Sequence, residues 1–279
     1  MLSDVFNAGK APRVGFLLLA TLLLSAIFAP QIVPHDPWEY GQRPFLSPTN
    51  IHPLGTNDVG QDILSELIFG GRVSLLIGFG AAFLAVSVGT AIGLVSGFVR
   101  GMLDEALMGI TDIFLVIPTL PVAILVSVYL GASMWYTILV IGLVSWPGTA
   151  RVIRAQTLSI RESEYVEAAR ALGATALRRM LRHILPNLLP MILAKLVLSV
   201  AVAMLMEAGL SLLGLGDTMA KSWGMMLRYA YARGGFINGM WWWYVPPGLA
   251  IALSVMALNL ISLGIEEQSD PRLKRVLNR

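Results

Sequence analysis

The stretch VSLLIGFGAAFLAVSVGTAIGLVSGFV, residues 73–99, decides the fold because it contains no ionisable side chain. A helix needs about 20 apolar residues to cross the hydrocarbon core of a bilayer. The stretch is long enough to do so, and we therefore predict that it forms a membrane-spanning helix. Lipid, rather than water, is then the solvent that its side chains must satisfy.

Small side chains recur at every fourth position of this stretch and at the position just beyond it. The set is Ala81, Ala85, Gly89, Gly93, Gly97 and Gly101. Residues four apart share one face of a helix, and a stripe of small residues lets another membrane helix approach closely. We predict that the four glycines serve helix packing. The stripe leaves open whether the partner helix belongs to this chain or to another subunit.

The rest of the chain has the same character. Of its 279 residues 56% are hydrophobic and 13% are charged, whereas soluble domains have about 25% charged residues. Five further apolar runs cover residues 14–33, 106–130, 137–151, 188–215 and 244–265. We predict an all-α polytopic membrane protein with about six transmembrane helices. The first run is longer than the core of a cleaved signal peptide, which favours an uncleaved span.

The charges between the runs predict the orientation. The loop 34–71 carries five acids against one arginine, while the N-terminus, the loop after the fourth run and the C-terminal tail are rich in Lys and Arg. The positive-inside rule then makes both termini and the basic loop cytoplasmic. Lys221, Arg228 and Arg233 are exceptions. The aromatic run from Trp241 to Tyr244 is expected to anchor the last span at the outer interface.

Several kinds of chemistry are absent. The chain has no cysteine, which excludes disulfides and thiolate metal sites. Its only Gly-Lys pair, Gly9-Lys10, is followed by alanine, so the phosphate loop of an ATPase is missing. The three histidines are far apart in sequence, which predicts no metal site. The basic residues beside membrane spans do not indicate nucleic acid. The chain is therefore predicted not to be an enzyme.

Three ionisable residues fall within the predicted spans, and such residues are candidates for function. Asp112 and Lys195 lie near predicted cytoplasmic ends, where a snorkelling or interfacial role is favoured. Glu207 lies deeper. It is expected either to make a hydrogen bond between helices or to line a translocation path.

The basic loop contains EYVEAARALGATALRRMLRHILPN, residues 164–187. With the residues before it, it gathers seven arginines, each costing roughly 2.5–3.5 kcal/mol at the bilayer centre, so it must lie in water. Ser163 is expected to cap a helix with Glu164 and Glu167 in its first turn. Gly173 permits a turn, and a second helix over 176–185 is expected to end at Pro186.

The two predicted helices offer different surfaces. Tyr165, Ala168, Ala169 and Leu172 form an apolar stripe at helical spacing, which suits a protein groove. Arg178, Arg179 and Arg182 suit the phosphates of lipid headgroups. A solvated connector without a partner is the third possibility, although so short a helix is marginal in water without one.

The spacing of Glu167-Ala168-Ala169, Gly173 and Leu185-Pro186 resembles the EAA signature of permease subunits of binding-protein-dependent ABC importers. The segment from His183 to Asn187 resembles the dipeptide, oligopeptide and nickel branch of that family. Further similarity to this branch is carried by HPLGTNDVGQDILSELIFGGRVSL at 52–75, EAGLSLLGLGD at 207–217, Ser222-Trp223-Gly224 and Asp270-Pro271-Arg272. The resemblance covers nearly the whole chain.

The resemblance implies a type I importer in a prokaryotic inner membrane. Such a chain pairs with a paralogous permease, two ATPase subunits that bind ATP and magnesium, and an extracytoplasmic solute-binding protein; it holds no cofactor itself. The predicted division is 1–72 with the first span and outer loop, a five-helix core over 73–265 with a coupling loop at 152–187, and a cytoplasmic tail over 266–279.

By this resemblance the ATPase-coupling residues are Glu164, Tyr165, Glu167, Ala168, Ala169, Arg170, Gly173 and Pro186. The branch implies a peptide as solute, with nickel or an oligosaccharide as alternatives. An ion-coupled secondary carrier and a channel are the competing classes of protein.

Overall fold

The computed structural model describes residues 10–40 and 43–269, and within these ranges it contains helices and no strands. The helices are α1 (Lys10–Ile27), α2 (Ala29–Ile32), α3 (Ile63–Val99), α4 (Met102–Val116), α5 (Thr119–Leu130), α6 (Met134–Arg161), α7 (Glu164–Ala171), α8 (Ala176–Arg179), α9 (Leu185–Leu212), α10 (Trp223–Ala232) and α11 (Trp241–Ser269). A π-helical segment, Met180–Ile184, joins α8 to α9. The all-α membrane fold is therefore confirmed.

The predicted spans all fall on helices. Four helices of the described residues are long and apolar enough to cross a membrane: α3, α6, the run Ala176–Leu212, and α11 from Trp241 to Ile265. The pair α4 and α5 counts as a fifth span if its two bent halves are taken together, and Ala11–Ile27 is a shorter apolar helix. The prediction of about six apolar helices thus agrees with the structure in position, with the first helix shorter than expected.

The third span differs from the prediction of one helix over 106–130. The chain bends by 88° between α4 and α5. Ile117 is extended, with φ −79° and ψ 126°, and Pro118 then occupies the N-cap of α5. Proline has no backbone N–H and disfavours helical geometry in the residue before it. The fourth span, by contrast, continues through Pro147 and extends to Arg161.

The glycine stripe of α3 lies against α6. A Cβ atom added to Gly93 would come within 2.4 Å of the carbonyl oxygen of Ala150, and one on Gly89 or Gly97 would come within 2.7 or 2.8 Å of a backbone oxygen of the same helix. Only a residue without a side chain fits such contacts. The partner helix therefore belongs to this chain.

Gly101 does not share this role, and that part of the prediction was wrong. Its φ is +69°, nothing lies within 4 Å of an added Cβ, and it forms the turn before α4. The helix ends at Val99, so the four-residue period no longer places Gly101 on the packed face.

Two of the cations that departed from the orientation rule are paired with acids of the loop 34–71 or the start of α3. Lys221 forms an ion pair with Glu66 and donates to Gln61 Oε1 at 2.8 Å. Arg233 forms an ion pair with Asp58. These pairs bring the segment between α9 and α11 to the same side of the molecule as the outer loop. The pairs neutralise Lys221 and Arg233, whose positive charges depart from the positive-inside rule on the outer side.

The aromatic run at the start of α11 is only partly an interface anchor. Trp241 is exposed, but Trp243 is buried in the core with Trp223. Its ring lies 6.0 Å from that of Phe45. Trp243 is buried because the outer loop folds over this end of α11.

The predicted domain limits are not structural breaks. The limit between residues 72 and 73 falls inside α3, and α11 continues past 265 to Ser269. Residues 1–9 and 270–279, which contain most of the predicted cytoplasmic tail, lie outside the described residues.

Candidate functional site

Helix α7 lies where the sequence predicts it, from Glu164 to Ala171, with both predicted glutamates in its first turn. Carboxylates at that end are favourable because the first turn exposes unpaired N–H groups. The predicted cap, however, is not formed. Ser163 occupies the N-cap position, but its hydroxyl donates to the carbonyl oxygen of Ile160 at 2.6 Å. That carbonyl is in the last turn of α6, and it also accepts the backbone N–H of Ser163 at 3.1 Å.

The other end of α7 closes as a Schellman motif. Gly173 has φ +80°, its N–H donates to Arg170 O at 3.0 Å, and the N–H of Ala174 donates to Ala169 O at 3.0 Å. A left-handed residue at this position is what the motif requires, and glycine adopts it without strain. Gly173 thus fixes the turn between α7 and α8.

A single residue, Val166, fastens α7 to the rest of the protein. It is 1% exposed and belongs to a buried cluster with Ile153, Ile184 and Leu188. The sequence analysis did not single out Val166, because it considered only the stripe that would face a partner. Val166 and the half-buried Ala169, three residues later, lie on the inward face of the helix.

The predicted stripe faces outward over most of its length, as a surface for a partner requires. Leu172 is 88% exposed, and Tyr165 is exposed as well. Glu164, Glu167, Ala168 and Arg170 are also exposed. We call this set, Glu164, Tyr165, Glu167, Ala168, Arg170 and Leu172, the outward face of α7. It is an apolar and acidic surface that nothing in the described chain covers.

Pro186 does not end the second helix, contrary to the prediction. The chain continues as one helical run, Ala176–Leu212, and Pro186 stands in the first turn of α9. Proline lacks a backbone N–H and cannot make the hydrogen bond of a regular helical turn, and here it lies just after a π segment. The π segment before it changes the hydrogen-bond register, and Asn187 Nδ2 donates to His183 O at 2.6 Å.

The seven arginines do not act as one basic patch. Arg154 makes two hydrogen bonds of 2.6 Å to the carboxylate of Asp104, and Arg151 forms an ion pair with Asp112. Arg161 and Arg179 lie over the ring of Phe98, at 5.6 and 5.4 Å from its centroid. Those that stay exposed without a described partner are Arg170, Arg178 and Arg182. Arg179, predicted to face headgroups, therefore has a packing contact as well.

Glu207 is buried in α9, beside the start of α10. Its Oε1 accepts hydrogen bonds from Ser211 at 2.8 Å and from Ser222 at 2.6 Å. Ser222 is the N-cap of α10, and its hydroxyl also accepts from the backbone N–H of Met225. Glu207 was expected either to make a hydrogen bond between helices or to line a translocation path. Its bond to Ser222 joins α9 to the start of α10, and it lines none of the described cavities, so the geometry favours the first role.

A cavity of about 410 Å³ lies between α3, α6, α9 and α11. Alanines form much of its wall. Its polar lining consists of Ser145, Thr149, Lys195, Ser199 and Asn259. Lys195 was predicted to snorkel toward the interface, but the structure places it in the wall of this cavity.

Two histidines that are distant in sequence meet in the outer loop. The ring centroids of His35 and His52 are 4.7 Å apart, and His52 Nδ1 lies 2.9 Å from Asp62 Oδ1. The distance between them in sequence therefore does not keep these two histidines apart in the fold, and with Asp62 they form a cluster of possible metal ligands. Asp62 already caps α3 by accepting from the N–H and the hydroxyl of Ser65.

Comparison with known proteins agrees with this architecture. Residues 89–275 match the family model described as the inner membrane component of binding-protein-dependent transport systems. The di/tripeptide transport system permease protein DppC of Pseudomonas aeruginosa is 36% identical over 277 residues, covering 96% of this chain and 90% of that protein. A Brucella suis protein provisionally named a peptide permease is 35% identical over 269 residues, covering 96% of this chain and 89% of its own.

The chain belongs to the family of inner-membrane components of binding-protein-dependent transport systems, which are the permeases of ABC importers. It is a multi-pass membrane protein and a transport subunit, and it works in a complex with other subunits.

Proposed function

We propose that this chain forms half of the translocation pathway of an ATP-driven peptide importer and is coupled to an ATPase subunit through α7. The other half of the pathway is a paralogous permease. Two ATPase subunits bind ATP and magnesium on the cytoplasmic side, and an extracytoplasmic binding protein delivers the solute. This chain itself needs no cofactor for that role.

The observation that carries the coupling proposal is the outward face of α7. The helix is held to the membrane domain by buried Val166, while Leu172 and Tyr165 on its other side stay exposed. A short helix with exposed apolar and acidic residues suits insertion into a groove of another protein. Its attachment beside the end of α6 and the start of α9 means that a displacement of α7 would reach two spans directly.

The proposal of a peptide as solute rests on the relatives, since both proteins compared above are named as peptide permeases. In the mechanism that follows, closure of the ATPases on ATP displaces α7 and turns the pathway outward. Hydrolysis and release return it inward. This is a two-state assembly whose equilibrium is biased by nucleotide.

The test uses the complete transporter with two variants and two matched controls. Glu167→Ala removes a carboxylate from the outward face, and Glu105→Ala removes an exposed carboxylate from the first turn of α4. Gly173→Ala places a methyl group at φ +80°, and Gly101→Ala does so at φ +69° in another exposed turn. Each control makes the same substitution away from α7. Glu105→Ala repeats the loss of a carboxylate from a first helical turn, and Gly101→Ala repeats the cost of a left-handed alanine, which is roughly 1–2 kcal/mol.

We expect Glu167→Ala and Gly173→Ala to lower ATP-dependent peptide uptake about tenfold or more and to reduce co-purification of the ATPases. Both controls should retain uptake. Equal behaviour of each variant and its control would refute coupling through α7. Peptide uptake should also require the binding protein, and failure of the wild-type assembly to move any peptide would refute the choice of solute.

A further inference from the structure

Lys195 is a cation inside a predicted span for which the described residues provide no acidic partner. It lies in α9, ten residues after Leu185, and is half-buried. The other two ionisable residues that the sequence singled out in spans both have partners, since Asp112 pairs with Arg151 and Glu207 accepts from two serines. Lys195 differs from them in facing a cavity instead of a neighbouring polar group.

The wall around Lys195 is suited to water and a polar solute. Besides alanines, the cavity is lined by the hydroxyls of Ser145, Thr149 and Ser199 and by the amide of Asn259. A lysine in contact with hydrocarbon is unfavourable, by roughly 2.5–3.5 kcal/mol at the bilayer centre on insertion scales, and intramembrane cations face the bundle interior or a wet cavity. The volume of the cavity, about 410 Å³, is within the range of small-molecule sites.

The charge of the wall is of one sign. Lys195 is its only ionisable lining residue among those described, so the cavity attracts anionic groups and repels cations. A peptide with free ends carries both a carboxylate and an ammonium group. The carboxylate is the end that an ammonium complements, and hydroxyl and amide groups can bond to the peptide backbone beside it.

We propose that this cavity is part of the solute path and that Lys195 binds the C-terminal carboxylate of the peptide in transit. The proposal rests on the proposed function, because it requires that peptides pass through this chain. The contact is a transient one, since a transport site must release what it binds. Lys195 thereby favours peptides that carry a free carboxylate and sets the direction in which they enter the cavity.

The experiment measures uptake into proteoliposomes containing the complete transporter and its binding protein. The probes are a radiolabelled peptide with a free C-terminus and the same peptide with a C-terminal amide, each chosen so that the binding protein is saturated. The variants are Lys195→Met, Lys195→Gln and Lys195→Arg. Arg43→Met removes an exposed cation of the outer loop, outside the cavity, as the control.

We expect the wild type and Lys195→Arg to transport the carboxylate peptide about tenfold faster than the amide, which corresponds to one charge-assisted contact. Lys195→Met and Lys195→Gln should reduce that ratio to about one, chiefly by slowing the carboxylate peptide, while Arg43→Met keeps it. Two neutral variants are used so that poor folding of one does not decide the result.

A ratio that stays at the wild-type value in either neutral variant overturns the proposal. So does loss of assembly with the second permease in both neutral variants when Lys195→Arg retains it, since Lys195 would then pair with an acid of another subunit. Absence of all peptide uptake by the wild type is a different result, because it refutes the peptide solute of the proposed function.

Discussion

At the scale of single residues, the fold depends on close contact between the backbones of α3 and α6. Gly93 is the tightest point, because an added Cβ would lie 2.4 Å from Ala150 O and 2.9 Å from Arg154 N. Lipid gives helices no hydrophobic incentive to associate, so van der Waals contact and hydrogen bonds must hold them together. A methyl group at this point would therefore separate the pair where it packs most closely.

We predict that Gly93→Ala lowers the melting temperature of the purified permease, whereas Gly109→Ala leaves it unchanged or raises it. Gly109 is also within a helix, but nothing lies within 4 Å of its added Cβ. Removing a helical glycine is worth about 0.5–1 kcal/mol in itself, and overpacking at Gly93 costs about 1–3 kcal/mol. Only Gly93→Ala should therefore lower the melting temperature. A stabilised Gly93→Ala protein would show that α3 and α6 are not packed this closely.

At the scale of elements, α7 is attached at one point and is otherwise exposed. Its eight residues are too few to stay helical in water without tertiary contacts. Val166 supplies the main buried contact, together with the residues of the cluster that spans α6, the π segment and α9. The attachment of the whole helix therefore depends on one apolar side chain.

Val166→Asp is expected to release α7 from the membrane domain. An uncompensated buried charge costs about 3–5 kcal/mol, which corresponds to a rise of about a hundredfold or more in the open population. Limited trypsin digestion at exposed Arg170 should speed up accordingly while the spans stay folded. Leu177→Asp, at an exposed position of α8, serves as the control and should digest like the wild type. Equal digestion of both variants would mean that Val166 is not the anchor.

At the scale of the whole molecule, ion pairs connect the segment before and after α10 to the outer loop. Lys221 with Glu66 and Arg233 with Asp58 place these two regions together, while α7 and its turn are attached at the other ends of α6 and α9. The positive-inside rule predicts that the first side is extracytoplasmic. The paired cations therefore contribute little net charge to it.

The orientation can be tested directly because the chain has no cysteine of its own. We expect Met219→Cys to react with a membrane-impermeant maleimide in intact spheroplasts, since Met219 is 84% exposed next to Lys221. Leu172→Cys, at an equally exposed position, should react only after permeabilisation. The reverse pattern of labelling would show that the predicted orientation is inverted.

The sequence was sufficient to predict the helices, since apolar length and the small-residue stripe are properties of the chain itself. It also predicted the limits of α7 and the turn at Gly173, which depend on local backbone preferences. It could not predict the burial of Val166, the meeting of His35 with His52, or the cavity position of Lys195. Those depend on how distant segments pack. Pro118 could have predicted the bend between α4 and α5, but the strongly apolar run around it indicated one continuous helix.

The unbroken run Ala176–Leu212 has a mechanical consequence. It contains 37 residues, and at about 1.5 Å per residue it is about 55 Å long, so a tilt of about 5° at one end moves the other by about 5 Å. One end adjoins the turn at Gly173, and Glu207 near the other is bonded to Ser222. Under the proposed function, a small displacement of α7 at the turn of Gly173 would therefore be carried along this run to the end near Glu207.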